Sequence, residues 1–161
     1  MKINTLYLLL GSNLYKPAAQ LVLAEQMISA RIGKIINASS VYRTAPWGNS
    51  DQADFFNRIL VAETTLNASE TLTHILQIEE EMGRIRTAKN APRIIDIDIL
   101  FFNNDVIRRS YLCVPHPEIQ NRRFVLVPLN ELSPGFIHPL LNKTTAELLA
   151  SCPDVLNVQK I

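Results

Sequence analysis

The residues from Pro92 to Phe102 constrain this chain more than any other stretch. Pro92 bars a helix from running in, and Ile94 to Phe102 is dominated by β-branched and aromatic side chains, the composition of a β-strand. Alternate side chains of a strand share a face, so Asp96 and Asp98 point together while Ile95, Ile97 and Ile99 point the other way. Their Cα atoms then lie about 6–7 Å apart. Two ionised carboxylates at that distance repel by about 2–3 kcal/mol at an effective dielectric of about 20. Either the pair sits on a wet sheet face, or cations are held against it. Arg84, Arg86, Lys89 and Arg93 crowd the segment just upstream. Hard oxygen ligands for Mg²⁺ beside cationic groups for phosphate oxygens are the equipment of phosphoryl transfer, and the pattern favours that work over a solvated face.

A chain of 161 residues, 47% apolar and 19% charged, is long enough to bury a core and is expected to form a single domain over 1–161. Its net charge of +1 gives no broad basic field, which counts against nucleic acid or an anionic membrane as partner. A phosphate-bearing ligand would need a local cationic cluster, and the arginines around the aspartate strand supply one. Two cysteines, Cys113 and Cys152, make no disulfide framework and no zinc spacing. Cys113, inside Tyr111-Leu112-Cys113-Val114, reads as a small buried hydrophobe. The apolar run Leu6–Leu10 is too brief to be a signal or to span a membrane, and a cytoplasmic protein is expected.

In chain order, Ile3 to Leu10 reads as a buried strand turned by Gly11-Ser12-Asn13. Pro17 opens a helix whose inner stripe is Leu21, Ala24, Ile28 and Ile32, with Gly33 as its stop. Ile35 to Arg43 reads as a strand, and Thr44 to Gln52 as a long loop carrying the only tryptophan, Trp47. A strand over Phe55–Thr65 leads to a helix capped by Asn67 and Glu70. Leu72, Ile75, Leu76 and Met82 define its buried stripe and Gly83 ends it. Glu79 falls inside that stripe, where a carboxylate needs a partner; an ion pair that orients Arg84 or Arg86 would provide one. Asn103-Asn104-Asp105 reads as a hairpin turn returning through Val106-Ile107. Thr144 to Ala150 is a short helix, and Val155 to Val158 a last strand. The order predicts an α+β fold: a ferredoxin-like, antiparallel-rich sheet with helices packed on its faces.

Lys89-Asn90-Ala91-Pro92-Arg93-x-x-Asp96-Ile97-Asp98-Ile99-Leu100 resembles the signature of the 6-hydroxymethyl-7,8-dihydropterin pyrophosphokinase family of folate biosynthesis. Leu10-Gly11-Ser12-Asn13-Leu14, Tyr42-Arg43-Thr44-Ala45-Pro46, Asn57, Glu79 to Arg86 and Val114-Pro115-His116-Pro117 follow the family order. The resemblance implies attack of the pterin hydroxymethyl oxygen on the β-phosphorus of ATP, releasing AMP. It implies two Mg²⁺ ions about 3.5–4 Å apart, held by Asp96 and Asp98. It places Arg84 and Arg93 beside them as catalytic cations, and Glu79, Arg86, Lys89, Ile99, Cys113, His116 and Arg122 around ATP, Cys113 chiefly through its backbone. The pterin would stack between Phe55 and Phe124, its edge read by Thr44, Ala45, Asn57 and the backbone near Trp47. This chain departs from the family in three places. The loop before Pro92 is one residue shorter and offers Lys89 for an arginine, Phe55 stands for a tyrosine, and Leu76 for a glutamine. The expected partners are small molecules only, and a monomer is expected. Two other readings stay open on the residues alone: a ferredoxin-like RNA- or nucleotide-binding module, and a two-metal phosphohydrolase.

Overall fold

The computed structural model describes residues 2–46, 51–85 and 92–161. Its main sheet has the strand order β5-β1-β4-β3-β8, with β2 also pairing β4. The strands are β1 (Asn4–Ser12), β2 (Lys34–Ala38), β3 (Tyr42–Thr44), β4 (Phe55–Thr64), β5 (Asp96–Phe102) and β8 (Val158–Lys160). All its pairings are antiparallel. The short strands β6 (Ile107–Arg108) and β7 (Cys113–Val114) form a separate hairpin. Because β2 and β3 both run along β4, the first five strands reproduce the ferredoxin-like order, as expected from the sequence.

Strand alternation divides β1 between two cores. Leu6, Leu8 and Leu10 face helices α1 (Pro17–Arg31) and α2 (Ala68–Glu81), whereas Tyr7 and Leu9 face α3 (Arg123–Leu132) and α4 (Thr145–Ala150). The first core is aliphatic. The second is centred on Phe101, whose ring centroid lies 4.6 Å from that of Phe136 and 5.7 Å from that of Tyr7. β5 feeds both: Ile97 and Ile99 pack into the first, Leu100 and Phe101 into the second, and Phe102 returns to the first. Two neighbours share one side because the register with β1 slips between Tyr7 and Leu8, leaving an extra residue on β5.

α2 begins as predicted, with Asn67 and Glu70 exchanging backbone hydrogen bonds of 2.8 and 2.9 Å, and ends at Gly83 with φ +94°. Gly33 ends α1 for a different reason. A Cβ there would lie 2.1 Å from the Glu63 carbonyl oxygen, so the constraint is close approach to β4.

Several expected boundaries change. β1 continues through Gly11 and Ser12, which pair with Asn57 and Phe56. The strand expected over Ile35–Arg43 is broken at Ser39, whose N–H and Oγ both bond the backbone of Ile59. The hairpin expected at Asn103 does not form, since β6 pairs with β7. Asn103 instead binds back to β1: its N–H reaches the Thr5 carbonyl, its Oδ1 the Thr5 N–H, and its Nδ2 the Asn4 side chain. The last strand lies over Val158–Lys160, three residues later than expected at its start, and pairs with β3.

Candidate active site

A cavity of about 490 Å³ opens where the polar beginning of β5 meets the ends of α2 and α3. Asp96 and Asp98 both line it, on the face of β5 opposite Ile95, Ile97 and Ile99. Gly11 lies between Asp96 and Asn57 in the sheet register. A Cβ at Gly11 would sit 2.7 Å from Asn57 Nδ2, so the glycine makes room for the amide at the cavity wall.

The carboxylates are held unequally. Arg84 Nη1 donates to Asp96 Oδ1 at 2.8 Å and Arg93 Nη1 to Asp96 Oδ2 at 3.0 Å. Arg84 Nη1 also donates to Glu79 Oε2 at 2.8 Å, and the same oxygen accepts the Ile97 N–H at 2.8 Å. Glu79 is thus the buried carboxylate that the helical stripe predicted, satisfied by a guanidinium and by the outer rim of β5. Asp98 has no hydrogen bond or ion pair among the described residues. Burial raises its pKa to about 7, reinforced by the charges of Asp96 and Glu79 and opposed by Arg122 and Arg84. A half-buried carboxylate beside two others, facing a cavity, is a position where a cation would be stabilised.

Asn13 fixes the approach of the chain to this cluster. Buried at the end of β1, it accepts the Arg93 N–H through Oδ1 at 2.8 Å, while its own N–H donates to the Arg93 carbonyl at 3.0 Å. Its Nδ2 donates to Gln52 Oε1 and to the Ala53 carbonyl. One side chain therefore ties the segment before β5 to the segment before β4.

The cavity brings together Thr44, Ala45, Phe55, Asn57, Glu79, Arg84, Arg93, Asp96, Asp98, His116, Arg122 and Phe124 of the expected residues. At one end, Thr44 Oγ1 and Asn57 Oδ1 are buried with no hydrogen-bond partner among the described residues. The Arg122 guanidinium lies 5.9 Å from the centre of the Phe124 ring, and its buried Nε is likewise unpartnered. His116 Nδ1 accepts the Glu118 N–H at 3.1 Å. Burial, with Arg122 nearby, lowers the pKa of His116, so near neutral pH its proton resides on Nε2.

Trp47, Arg86 and Lys89 lie outside the described residues. Two expected residues sit elsewhere. The Ile99 side chain is buried in the aliphatic core, and Cys113 is exposed on β7 rather than buried, while its neighbours Leu112 and Val114 on either side are buried. Leu76, expected in the buried stripe, is 43% exposed and lines the cavity; Ile78 takes the core position. Tyr111 also lines the cavity, and no sequence argument singled it out.

No helix among the described residues is long and apolar enough to cross a membrane. Residues 7–134 match the family of 7,8-dihydro-6-hydroxymethylpterin-pyrophosphokinase (HPPK). Two relatives named 2-amino-4-hydroxy-6-hydroxymethyldihydropteridine pyrophosphokinase are similar over most of their length. That of Aquifex aeolicus is 39% identical over 89% of this chain and 89% of its own, and that of Haemophilus influenzae 38% identical over 84% and 85%. The folic acid synthesis protein FOL1 of Dictyostelium discoideum is 35% identical over 98% of this chain, which spans only 24% of that larger protein. The fold is shared with the solved Plasmodium falciparum HPPK-DHPS A437G, with a TM-score of 0.76 at 21% identity, covering 92% of this chain and 45% of that one. By its match over residues 7–134 and by these relatives, the chain belongs to the 7,8-dihydro-6-hydroxymethylpterin-pyrophosphokinase family.

Proposed function

We propose that this cavity carries out the reaction of its family, pyrophosphoryl transfer from ATP to the hydroxymethyl group of 6-hydroxymethyl-7,8-dihydropterin, and that its residues divide the work by position. The observation that carries this reading is the unequal treatment of the two aspartates: Asp96 held by two arginines, Asp98 by no partner among the described residues. An in-line displacement at phosphorus asks for positioning and charge neutralisation more than for covalent help. Arg84 and Arg93 can donate to phosphate oxygens with the N–H groups that Asp96 leaves unused, since a guanidinium carries five.

Asp96 and Asp98 are the residues that would hold Mg²⁺, and the oxygen-only donor pair fits that ion. Bound there, the metal supplies charge neutralisation at the triphosphate. Two ions are the number proposed. Glu79 holds Arg84 in place rather than touching substrate. His116 offers a neutral Nε2–H donor, and Arg122 a cation, to the nucleotide.

The pterin takes the other end. Phe55 and Phe124 present ring faces to a flat bicycle, while Thr44 Oγ1 and Asn57 Oδ1, without partners among the described residues, accept its edge N–H groups or, for the hydroxyl, donate to its ring nitrogens. Trp47, Arg86 and Lys89 keep their proposed roles at pterin and triphosphate. The chain acts as a monomer in the cytoplasm.

The deciding assay supplies ATP, Mg²⁺ and the hydroxymethyl pterin and identifies the nucleotide product. AMP, formed only with the pterin present, is expected. ADP would indicate transfer of one phosphoryl group, and ATP loss without acceptor would indicate hydrolysis; either would overturn the reading.

A further inference from the structure

The start of α3 carries two side chains of the cavity, Arg122 at the N-cap and Phe124 in the first turn, yet its own sequence does nothing to close that turn. Arg122 makes no capping bond, no acidic residue follows in the first turn, and Arg122 and Arg123 put two cations at the positive end of the helix. The acceptor comes from 31 residues further along the chain: Asp154 Oδ2 accepts the Arg123 N–H at 2.9 Å. Asp154 Oδ1 accepts the Leu156 N–H at 2.9 Å, a local turn that aims the carboxylate at α3. The chain then enters β8, where Val158 pairs with Thr44 at the end of β3, and Thr44 pairs in turn with Phe55 of β4. One short segment thus touches both the helix turn bearing Phe124 and the strand end bearing Thr44. Asp154 is not itself a residue of the cavity lining. The far end of α3 is tied separately, by Glu131, which accepts the Tyr42 hydroxyl at 2.5 Å and the Ser40 N–H and hydroxyl at 3.1 Å.

We propose that Asp154 is a positioning residue for the pterin: by capping α3 it holds the Phe124 ring in register with Thr44 and Phe55. The inference rests on the proposed function, which stacks the pterin between Phe55 and Phe124. An uncapped first turn frays, and Phe124 lies in that turn. Stacking tolerates little displacement, since a gap of about 0.5–1 Å forfeits roughly a quarter to a half of the dispersion attraction. Asp154 touches no substrate, so its effect reaches the reaction only through the side chains that α3 carries. The triphosphate is held by Arg84, Arg93 and Asp96, none of them on α3, and loss of the cap therefore falls first on the pterin. Asp154 is half-buried and belongs to neither core, so its replacement leaves both intact.

The test measures steady-state kinetics and amide hydrogen exchange on the full chain and on Asp154→Ala, Asp154→Asn and Glu131→Ala, each well below its urea midpoint. Asp154→Ala should speed exchange of the Arg123 amide and raise the pterin KM about 3- to 30-fold, the range spanned by loss of an N-cap. Its kcat, and its affinity for a non-transferable ATP analogue with Mg²⁺, should change less than that KM. Asp154→Asn keeps an oxygen for the Arg123 N–H and should bring the pterin KM back towards wild type. Glu131→Ala should lower the urea midpoint and leave the pterin KM in place. The inference falls if Asp154→Ala leaves the pterin KM unchanged or weakens the ATP analogue equally. It also falls if Asp154→Asn is as impaired as Asp154→Ala, or if Glu131→Ala raises the pterin KM as much, since any loosening of α3 would then suffice. A wild-type chain that forms no AMP from the pterin loses the proposed function and this inference together. One that forms AMP while Asp154→Ala keeps the wild-type KM loses the inference alone.

Discussion

The two halves of β5 are built on opposite principles. From Asp96 to Asp98 the strand turns charged side chains towards a cavity and leaves one of them without a partner among the described residues. From Leu100 to Phe102 every side chain is buried, and the extra residue at the register slip puts Leu100 and Phe101 into the same aromatic core. The comparison teaches that stability and chemistry share one strand without sharing residues. The second half anchors the strand so firmly that the first half can keep a destabilised carboxylate.

Phe101→Ala should break the anchoring half. Removing a fully buried ring is expected to cost about 3–5 kcal/mol, read as a lower urea midpoint, while the molecules that stay folded keep near-normal turnover. Asp98→Asn should do the reverse. Turnover is expected to fall about 10²–10³-fold, comparable to loss of one strong electrostatic stabiliser, while the metal-free protein becomes more stable at pH 7.5. If Asp98→Asn unfolds the protein, or Phe101→Ala kills activity without loss of stability, the division is wrong.

Asn13→Ala should sharpen it, by loosening the charged half alone. Leaving the Arg93 N–H without its acceptor costs about 1–3 kcal/mol, and the kcat loss should exceed the loss of stability.

The pH response should separate the halves with opposite signs. Asp98 has a folded pKa raised to about 7, so the folded state binds more protons than the unfolded state between the ordinary carboxylate range and neutrality. Its contribution therefore favours the folded state at low pH and is lost as pH rises through about 7. Saturating Mg²⁺ should abolish that loss. His138 lies in the aromatic core, its ring 5.6 Å from that of Phe101, and burial lowers its pKa. Its contribution is complete above the unfolded value of about 6.5 and is lost as pH falls below it. Urea midpoints of Asp98→Asn and His138→Gln across pH 5–8, set against wild type, check both signs. This is the smallest effect expected.

The sequence revealed most where a period and a chemical misfit coincide. Asp96 and Asp98 stand out because charge interrupts a run of β-branched residues, and Glu79 because a carboxylate occupies an apolar helical stripe. The N-cap pair Asn67 and Glu70 was legible because both partners lie within one turn. Features that depend on distant partners were not. The false hairpin at Asn103 arose because its true partners, Asn4 and Thr5, lie almost a hundred residues away in sequence. The register slip within Leu100–Phe102 was hidden because an unbroken apolar run has no phase to lose. Leu76 reads as part of the buried stripe because an apolar residue at helical spacing from apolar neighbours looks like core, and only the folded chain shows it uncovered.

The outer rim of β5 is closed by the groups that furnish the site: Glu79 takes the Ile97 N–H, and His116 occupies the Leu100 carbonyl. An outer strand left bare is a template on which a neighbouring molecule can add its own strand. Glu79 and the His116 backbone thus cover two of the groups on which such a strand would build, and Glu79→Ala should be felt as aggregation, read by light scattering, as well as lost turnover.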